Sequence, residues 1–483
     1  MKPEPQPDSA PQPHGCLPPW RVEELPAPLP FSARNALRTI GPGAILLVGA
    51  IGMGEWVVGP MFVVQHGRGI LWIATLAFIL QSLLNLEAVR YTLYTGEPIL
   101  TGFMRLRPGP GVWGSVYTLG AVAQLGLPAA TAGSAGIVFA MGAGRAPAAG
   151  DAANVAWITV ALVLVAAAVL ASGKKVERLL ERASWLMIAY IFAFLIWVNV
   201  AFVPAAEWQS TFIGFFQVRA LPKEMDFVML AVFASLAGSG GVGNLAIASW
   251  FRDKGFGMGA KTGNLGGVWS QEQTLSPTGA VFPITPENLR RWRDWWRYSM
   301  VDQSLLWAGG CIIGMFLMVN LAANLFTPGL KISGVAAGVF QAAEMRKLWE
   351  GFWWLGLLNG FWILFSTALT NTDVLVRLVT DMAWAGAPKV RRMPAGRIYG
   401  GLLLLFTGLA VLGAFLGDAR TLLAILGATA APITAFSAVQ ILRVNTTLLP
   451  PELRPPLWRR AALVLCALFY GGVSIGMFWQ LAR

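Results

Sequence analysis

The chain has 483 residues, 56% of them hydrophobic and 12% charged, with a mean hydropathy of +0.60 and a formal charge of +12. That balance excludes an ordinary soluble domain and describes a membrane protein. The three cysteines (Cys16, Cys311 and Cys466) and two histidines (His14 and His66) are too scattered for a disulfide framework, a zinc site or a histidine proton relay. No Ser/His/Asp, HExxH, Walker or kinase signature gives an enzyme or an ATP-driven pump a starting point.

In chain order, "MKPEPQPDSAPQPHG" opens a proline-rich stretch with neither the apolar core of a signal peptide nor the composition of a packed domain. Residues 1–40 are therefore expected to be a disordered cytoplasmic tail. Apolar runs long enough to cross ~30 Å of hydrocarbon follow at roughly 41–66, 70–93, 113–141, 153–172, 184–203, 227–250, 299–326, 352–374, 398–416, 421–442 and 461–481. These predict eleven helices, and no alternating pattern suggests a β-barrel. With the amino terminus inside, 27 of the 36 Lys and Arg lie on the inner side, including "GKKVERLLER" (173–182), "RRWRDWWR" (290–297) and "PKVRRMPAGR" (388–397). The bias predicts an inner or plasma membrane protein with N-inside, C-outside topology. It also explains the positive charge without nucleic acid, because the clusters alternate with spans and build no single basic face.

The loop 251–298 carries "GFGMGAKTGNLGG", but no strand precedes it and the Walker spacing is missing, so it predicts no nucleotide site. It reads as a flexible cytoplasmic loop followed by an amphipathic basic segment lying on anionic lipid. The tryptophans of "WRDWWR" (292–297) and "WEGFWW" (349–354) read as interfacial anchors.

Two spans are unfit to be straight helices. In the first, "GAIGMGEWVVGP" (49–60) holds four glycines, a proline and Glu55; in the sixth, Gly238, Gly240, Gly241 and Gly243 fall within six positions. Each glycine costs a helix interior about 1 kcal/mol relative to alanine. The first and sixth spans correspond if 41–203 and 227–442 are two inverted repeats of five helices, with 461–481 an eleventh, and paired broken helices are the pointer to a secondary transporter's site. Unwound backbone must face protein or a wet cavity, where its carbonyls can bind a cation. Close helix packing also uses glycine at such spacings, but it does not account for an acid in the span, which costs roughly 2.5 kcal/mol or more unless paired, hydrated or protonated. Glu55 is the principal substrate or proton candidate.

In order and spacing, "IGPGAILLVGAIGMGEW" (40–56), "VRYTLYTGEPI" (89–99), "GSAG" (133–136), the broken sixth span with "NLAIAS" (244–249) and "RYSMVDQSL" (297–305) resemble the Nramp family of proton-coupled divalent metal transporters, over about residues 36–445. The resemblance implies an all-α membrane protein of the LeuT-type fold, in which spans 1, 2, 6 and 7 rock against 3, 4, 5 and 8. It departs at the chemistry. The family's Asp-Pro-Gly-Asn is here Gly52, Met53, Gly54 and Glu55; its Met-Pro-His is Gly241, Val242 and Gly243; its acidic pair in the third helix aligns with Leu127 and Ala130; and the tenth span has no glutamine between 421 and 437.

The remaining substrate-binding candidates are Gly52, Met53, Gly54, Glu55, Gly240, Gly241 and Asn244, with Glu55, Gly52, Gly241 and Asn244 as metal ligands. An oxygen set of this kind suits Mg²⁺, Mn²⁺ or Ca²⁺ better than Cu or Zn. Arg90, Asn371 and Asp373 are gating or pathway candidates, with structural, capping or snorkelling roles as the alternative. The expectation is a monomeric carrier for a divalent metal, without a resident cofactor and with altered or absent proton coupling. The alternatives are a carrier of a non-metal small solute and a non-transporting membrane receptor.

Overall fold

The computed structural model describes residues 14–172, 176–222, 225–269, 275–326 and 338–483. It is a multi-pass helical membrane protein: ten helical segments among the described residues are long and apolar enough to cross a membrane, and Phe227–Leu236 is a shorter apolar one. The helices are, in order, α1 (Ala33–Thr39), α2 (Pro42–Ala50), α3 (Gly59–His66), α4 (Leu71–Thr95), α5 (Ile99–Arg105), α6 (Pro110–Leu125), α7 (Ala129–Ala143), α8 (Ala152–Ser172), α9 (Val176–Phe202), α10 (Ala205–Phe216), α11 (Phe227–Leu236), α12 (Val242–Lys254), α13 (Gly259–Thr262), α14 (Pro286–Met300), α15 (Gly309–Leu325), α16 (Phe340–Met345), α17 (Phe352–Gly386), α18 (Ala395–Gly413), α19 (Ala419–Thr447) and α20 (Leu457–Leu481).

Both spans marked by glycine are broken. The first consists of α2, a non-helical step at Ile51 and Gly52, a π-helical turn over Met53–Val58, and α3. The sixth stops at Leu236 and resumes at Val242, with Gly238, Gly240 and Gly241 all at positive φ, where a side chain would be strained. A third break was not expected: the span at 113–141 divides between Leu125 and Ala129, at Gly126 and Pro128, since proline disfavours helical geometry in the residue before it.

Of the expected tail, residues 1–13 lie outside the described ones, whereas 14–40 are built into the fold. Arg21–Val22 (β1) pairs in parallel with Ala280–Val281 (β2), and Leu17, Trp20 and Leu25 are buried. The Arg105 guanidinium donates to the carbonyls of His14 (2.7 Å) and Pro18 (2.9 Å) and stacks 4.4 Å over the Trp20 ring. Proline suits this strap because an extended segment whose carbonyls are claimed by side chains has little need of its own N–H groups.

The basic segment is helical and runs into the seventh span. α14, a π-helical turn over Val301–Ala308 and α15 form one continuous rod, 40 residues long. The aromatic residues of α14 and one of its arginines meet protein: Arg291 donates to Leu25 O, Trp295 to Pro26 O and Tyr298 to Leu29 O and Pro30 O, while Arg90 stacks 4.2 Å over Trp296; Arg290, Arg293 and Arg297 are exposed.

Arg105 also pairs with Glu97 at 2.5 Å, beside the Tyr91 hydroxyl at 2.6 Å. Burial opposes charge on Glu97, but the Arg105 guanidinium outweighs it and holds the carboxyl below its usual range. A depressed folded-state value means that this stabilisation is complete above the ordinary glutamate range, about 4.3, and is lost as pH falls through the folded value. Thermal melts in detergent should therefore show an acid-side loss in the wild type that is smaller in Glu97→Gln.

Candidate functional site

Glu55 sits on the π-helical turn of the first span, wholly buried, and neither carboxylate oxygen has a hydrogen-bond partner. Its neighbours are the backbone at Gly238, in the break of the sixth span, and the Cys311 thiol of α15. The two broken spans meet here at backbone distance: a Cβ on Gly54 would stand 1.8 Å from Leu236 O. Phe62 of α3 stacks on Phe233 of α11 with ring centroids 4.7 Å apart.

The break in the sixth span is not a row of free carbonyls. Gln81 of α4 reaches into it with its whole carboxamide. Its Oε1 accepts from Ser239 N, Gly240 N and Asn244 Nδ2, each at 3.0 Å, and its Nε2 donates to Ala237 O at 2.8 Å, Tyr470 OH at 2.7 Å and Ser235 O at 3.3 Å. Gln124 of α6 does the same from the other side, accepting from Val242 N (3.0 Å) and donating to Gly240 O (3.2 Å), while the Thr434 hydroxyl of α19 accepts from Gly241 N at 2.7 Å. These side chains supply the peptide groups that a continuous helix would have used. In the first span the Thr367 hydroxyl of α17 lies 3.3 Å from both Val48 O and Gly49 O, and Gln341 donates to Trp56 O.

The predicted residues therefore divide. Glu55, Gly54 and Asn244 lie around the junction of α11, α12 and the π turn; Asn244 Oδ1 is buried and unpartnered, and its Nδ2 shares Gln81 Oε1 with the break. Met53 is buried in the core. Gly52 packs on Thr367, where a Cβ would stand 1.7 Å from the hydroxyl oxygen, and its carbonyl accepts from Trp56 N. Gly240 and Gly241 are held by Gln81, Gln124 and Thr434. Gly52 thus packs against α17, and Gly241 against α6 and α19.

Of the gating or pathway candidates, Arg90 and Asp373 are held in ion pairs. Arg90 is tied to Glu87 (2.7 Å) and to Leu453 O (3.1 Å), with Arg459 on the same carboxylate. Asp373 is wholly buried and takes Arg377 Nε (2.8 Å), Trp250 Nε1 (3.0 Å) and Tyr399 OH (2.7 Å). Arg377 also holds Asp253, which pairs with Arg252, and Arg252 pairs with Asp381 at 2.6 Å. This ion network fastens α12 to α17. Asn371 is half-buried beside the break in the third span, on a small cavity of about 30 Å³ with Leu127, Pro128 and Thr407.

Sequence reasoning missed Gln81, Gln124 and Thr434. A signal existed for the glutamines, since each is an uncharged but strongly polar group within a span that must find partners inside the protein.

Comparison with solved structures follows this geometry. A histidine-to-alanine mutant of the Eremococcus coleocola manganese transporter matches with a TM-score of 0.67 at 14% identity, over 95% of this chain and 90% of that one. A glutamate-to-alanine mutant gives the same values, and the complex of that transporter with an aromatic bis-isothiourea substituted compound gives 0.64. The chain has the fold of a manganese transporter. The LeuT-type arrangement implied by the resemblance is therefore the one observed, and at 14% identity the likeness to this transporter fold is one of fold. No family model matches the sequence, and no curated protein does.

Proposed function

We propose that the protein is an alternating-access carrier of a divalent cation of the Mn²⁺ or Mg²⁺ class, with its amino terminus in the cytoplasm and Glu55 as the charged cargo ligand. The observation that supports this is the Glu55 carboxylate: buried between two broken spans, with both oxygens unpartnered, it is placed at a cost that only a function repays. Asn244 Oδ1 and Ser235 Oγ, on either side of the break in the sixth span, are also buried and unpartnered and would extend a donor set made of oxygen. Among the described residues no group of three His, Cys, Asp or Glu could hold a metal, so the cargo ion would keep several waters, as Mg²⁺ and Mn²⁺ readily do. One carboxylate then suffices.

A second reading keeps the fold and changes the cargo to a small non-metal solute. It is favoured by the occupation of the break carbonyls by Gln81, Gln124 and Thr367, which leaves fewer backbone ligands than a dehydrated ion needs.

Uptake into proteoliposomes separates the two. Saturable Mn²⁺ or Mg²⁺ uptake is expected, and Glu55→Gln should lower it at least about tenfold, the equivalent of ~1.4 kcal/mol. Absence of flux for every divalent ion tested, from protein that remains folded, would favour the second reading.

A further inference from the structure

We propose that Asp302 is a proton-binding residue, separate from the cargo acid, whose protonation releases the base of the first span from the seventh and opens the amino-terminal mouth of the carrier. The inference rests on the carrier reading for its purpose, but the contacts that carry it are independent of Glu55.

α2 begins at Pro42, and its N-cap, Gly41, has no side chain with which to cap. The helix is capped from another span. Asp302, on the π-helical turn between α14 and α15 and wholly buried, accepts from Gly41 N through Oδ2 at 2.9 Å. A carboxylate so placed satisfies one of the free N–H groups of the helix start and complements its partial positive charge. The two glycines of "IGPG" make the approach possible: a Cβ on Gly43 would stand 2.5 Å from Asp302 O and 2.6 Å from its Oδ1, and one on Gly41 would stand 2.2 Å from Lys254 Nζ and 2.3 Å from Glu181 Oε1.

The surroundings of Asp302 come from four elements. Its Oδ1 accepts from the neighbouring Gln303 Nε2 at 2.7 Å. From α4, Asn85 donates to Gln303 Oε1 (3.1 Å) and Ser82 to Gln303 O (3.4 Å), and Asn85 Oδ1 is buried without a partner, a place where water can join the file. From α12, Lys254 is the charge set against it, donating to Ile40 O at 3.0 Å; from α9, Glu181 pairs with Lys254. That last pair is 16% and 20% exposed, so the file reaches solvent there.

Removal from water disfavours charge on Asp302, whereas the Gly41 amide, the Gln303 amide and Lys254 favour it. Ionised, it clamps the start of the first span onto the seventh beside Lys254 and Glu181. When a proton from solvent on that face binds a carboxylate oxygen, the attraction for the amide, the helix start and Lys254 falls away. No other bond changes.

The test reads exposure of the mouth without any cargo. In full-length protein carrying Cys16→Ser, the maleimide labelling rate of Ile40→Cys, buried beside the latch, is divided by that of Leu37→Cys, which is exposed. The ratio should rise at least about threefold between about pH 7.5 and 5.5, and Asp302→Asn should make it high and independent of pH. Glu181→Gln, at the solvent edge, frees Lys254 to favour the anion and should move the rise to lower pH. A flat ratio in the parent, an unaltered pH profile in Asp302→Asn, or an unmoved profile in Glu181→Gln would overturn the proposal. A protein that labels as expected but moves no Mn²⁺ would defeat the carrier reading and leave the latch standing.

Discussion

Arg377→Met is expected to abolish recovery of folded protein, or to lower its melting temperature more than any other single change in α17. The guanidinium lies between Asp373 and Asp253, all three wholly or almost wholly buried, so its removal leaves Asp373 without a cation and Asp253 with Arg252 alone. Breaking a buried pair costs about 3–5 kcal/mol because the surviving charge is uncompensated, and here that charge is Asp373, which keeps only the Tyr399 and Trp250 donors. That is comparable to the whole stability of many domains. The double variant Arg377→Met with Asp373→Asn should recover part of the loss, since one stranded charge is then neutral. Size-exclusion profiles and thermal melts in detergent decide the matter, and full stability of the single variant would mean that the network contributes nothing.

Gln81→Leu is expected to be nearly as severe and to fall on transport as well as stability. Leucine fits the volume but offers no polar atom, stranding the amides of Ser239 and Gly240, the Asn244 carboxamide and the carbonyl of Ala237. An unsatisfied buried group costs about 1–3 kcal/mol, and in the hydrocarbon core water is a poor substitute. Gln81→Glu, which keeps the acceptor and loses the donor, should be milder in its effect on the Ser239 and Gly240 amides and should disturb Ala237 and Tyr470 more. Hydrogen exchange at Ser239 and Gly240 distinguishes the variants: fast in Gln81→Leu, protected in Gln81→Glu and in the parent.

The sequence was most informative where a local rule was broken. Gly52 and Gly54 around Glu55, and Gly238, Gly240 and Gly241 in the sixth span, announced the two breaks because glycine is poor in helices for reasons that need no tertiary context. The break at Gly126 and Pro128 carried the same kind of signal and was masked by the apolar run around it. What was not legible is which partner each polar group finds. Gln81 reads as one polar residue in an apolar helix until the sixth span is brought against it, and Asp302 reads as part of a motif until Gly41 arrives from 261 positions away. The partner of Asp373 was hidden for a related reason: nothing in the sequence says that Arg377, four positions on, turns back onto it. The order assigned to residues 14–31 was invisible because proline-rich composition measures the capacity to pack a core alone, and these residues pack on a core made by others.

That strap has a bearing on how the chain is made. Its partners on α14 lie near residues 291–298, so some 260 further residues must emerge before it can dock, an interval of roughly 13–50 s at ordinary elongation rates of about 5–20 residues per second. Throughout that interval the carbonyls of Leu25, Pro26, Leu29 and Pro30 lack their α14 donors. Residues 25–30 therefore reach their final place only after residues 291–298 have been made.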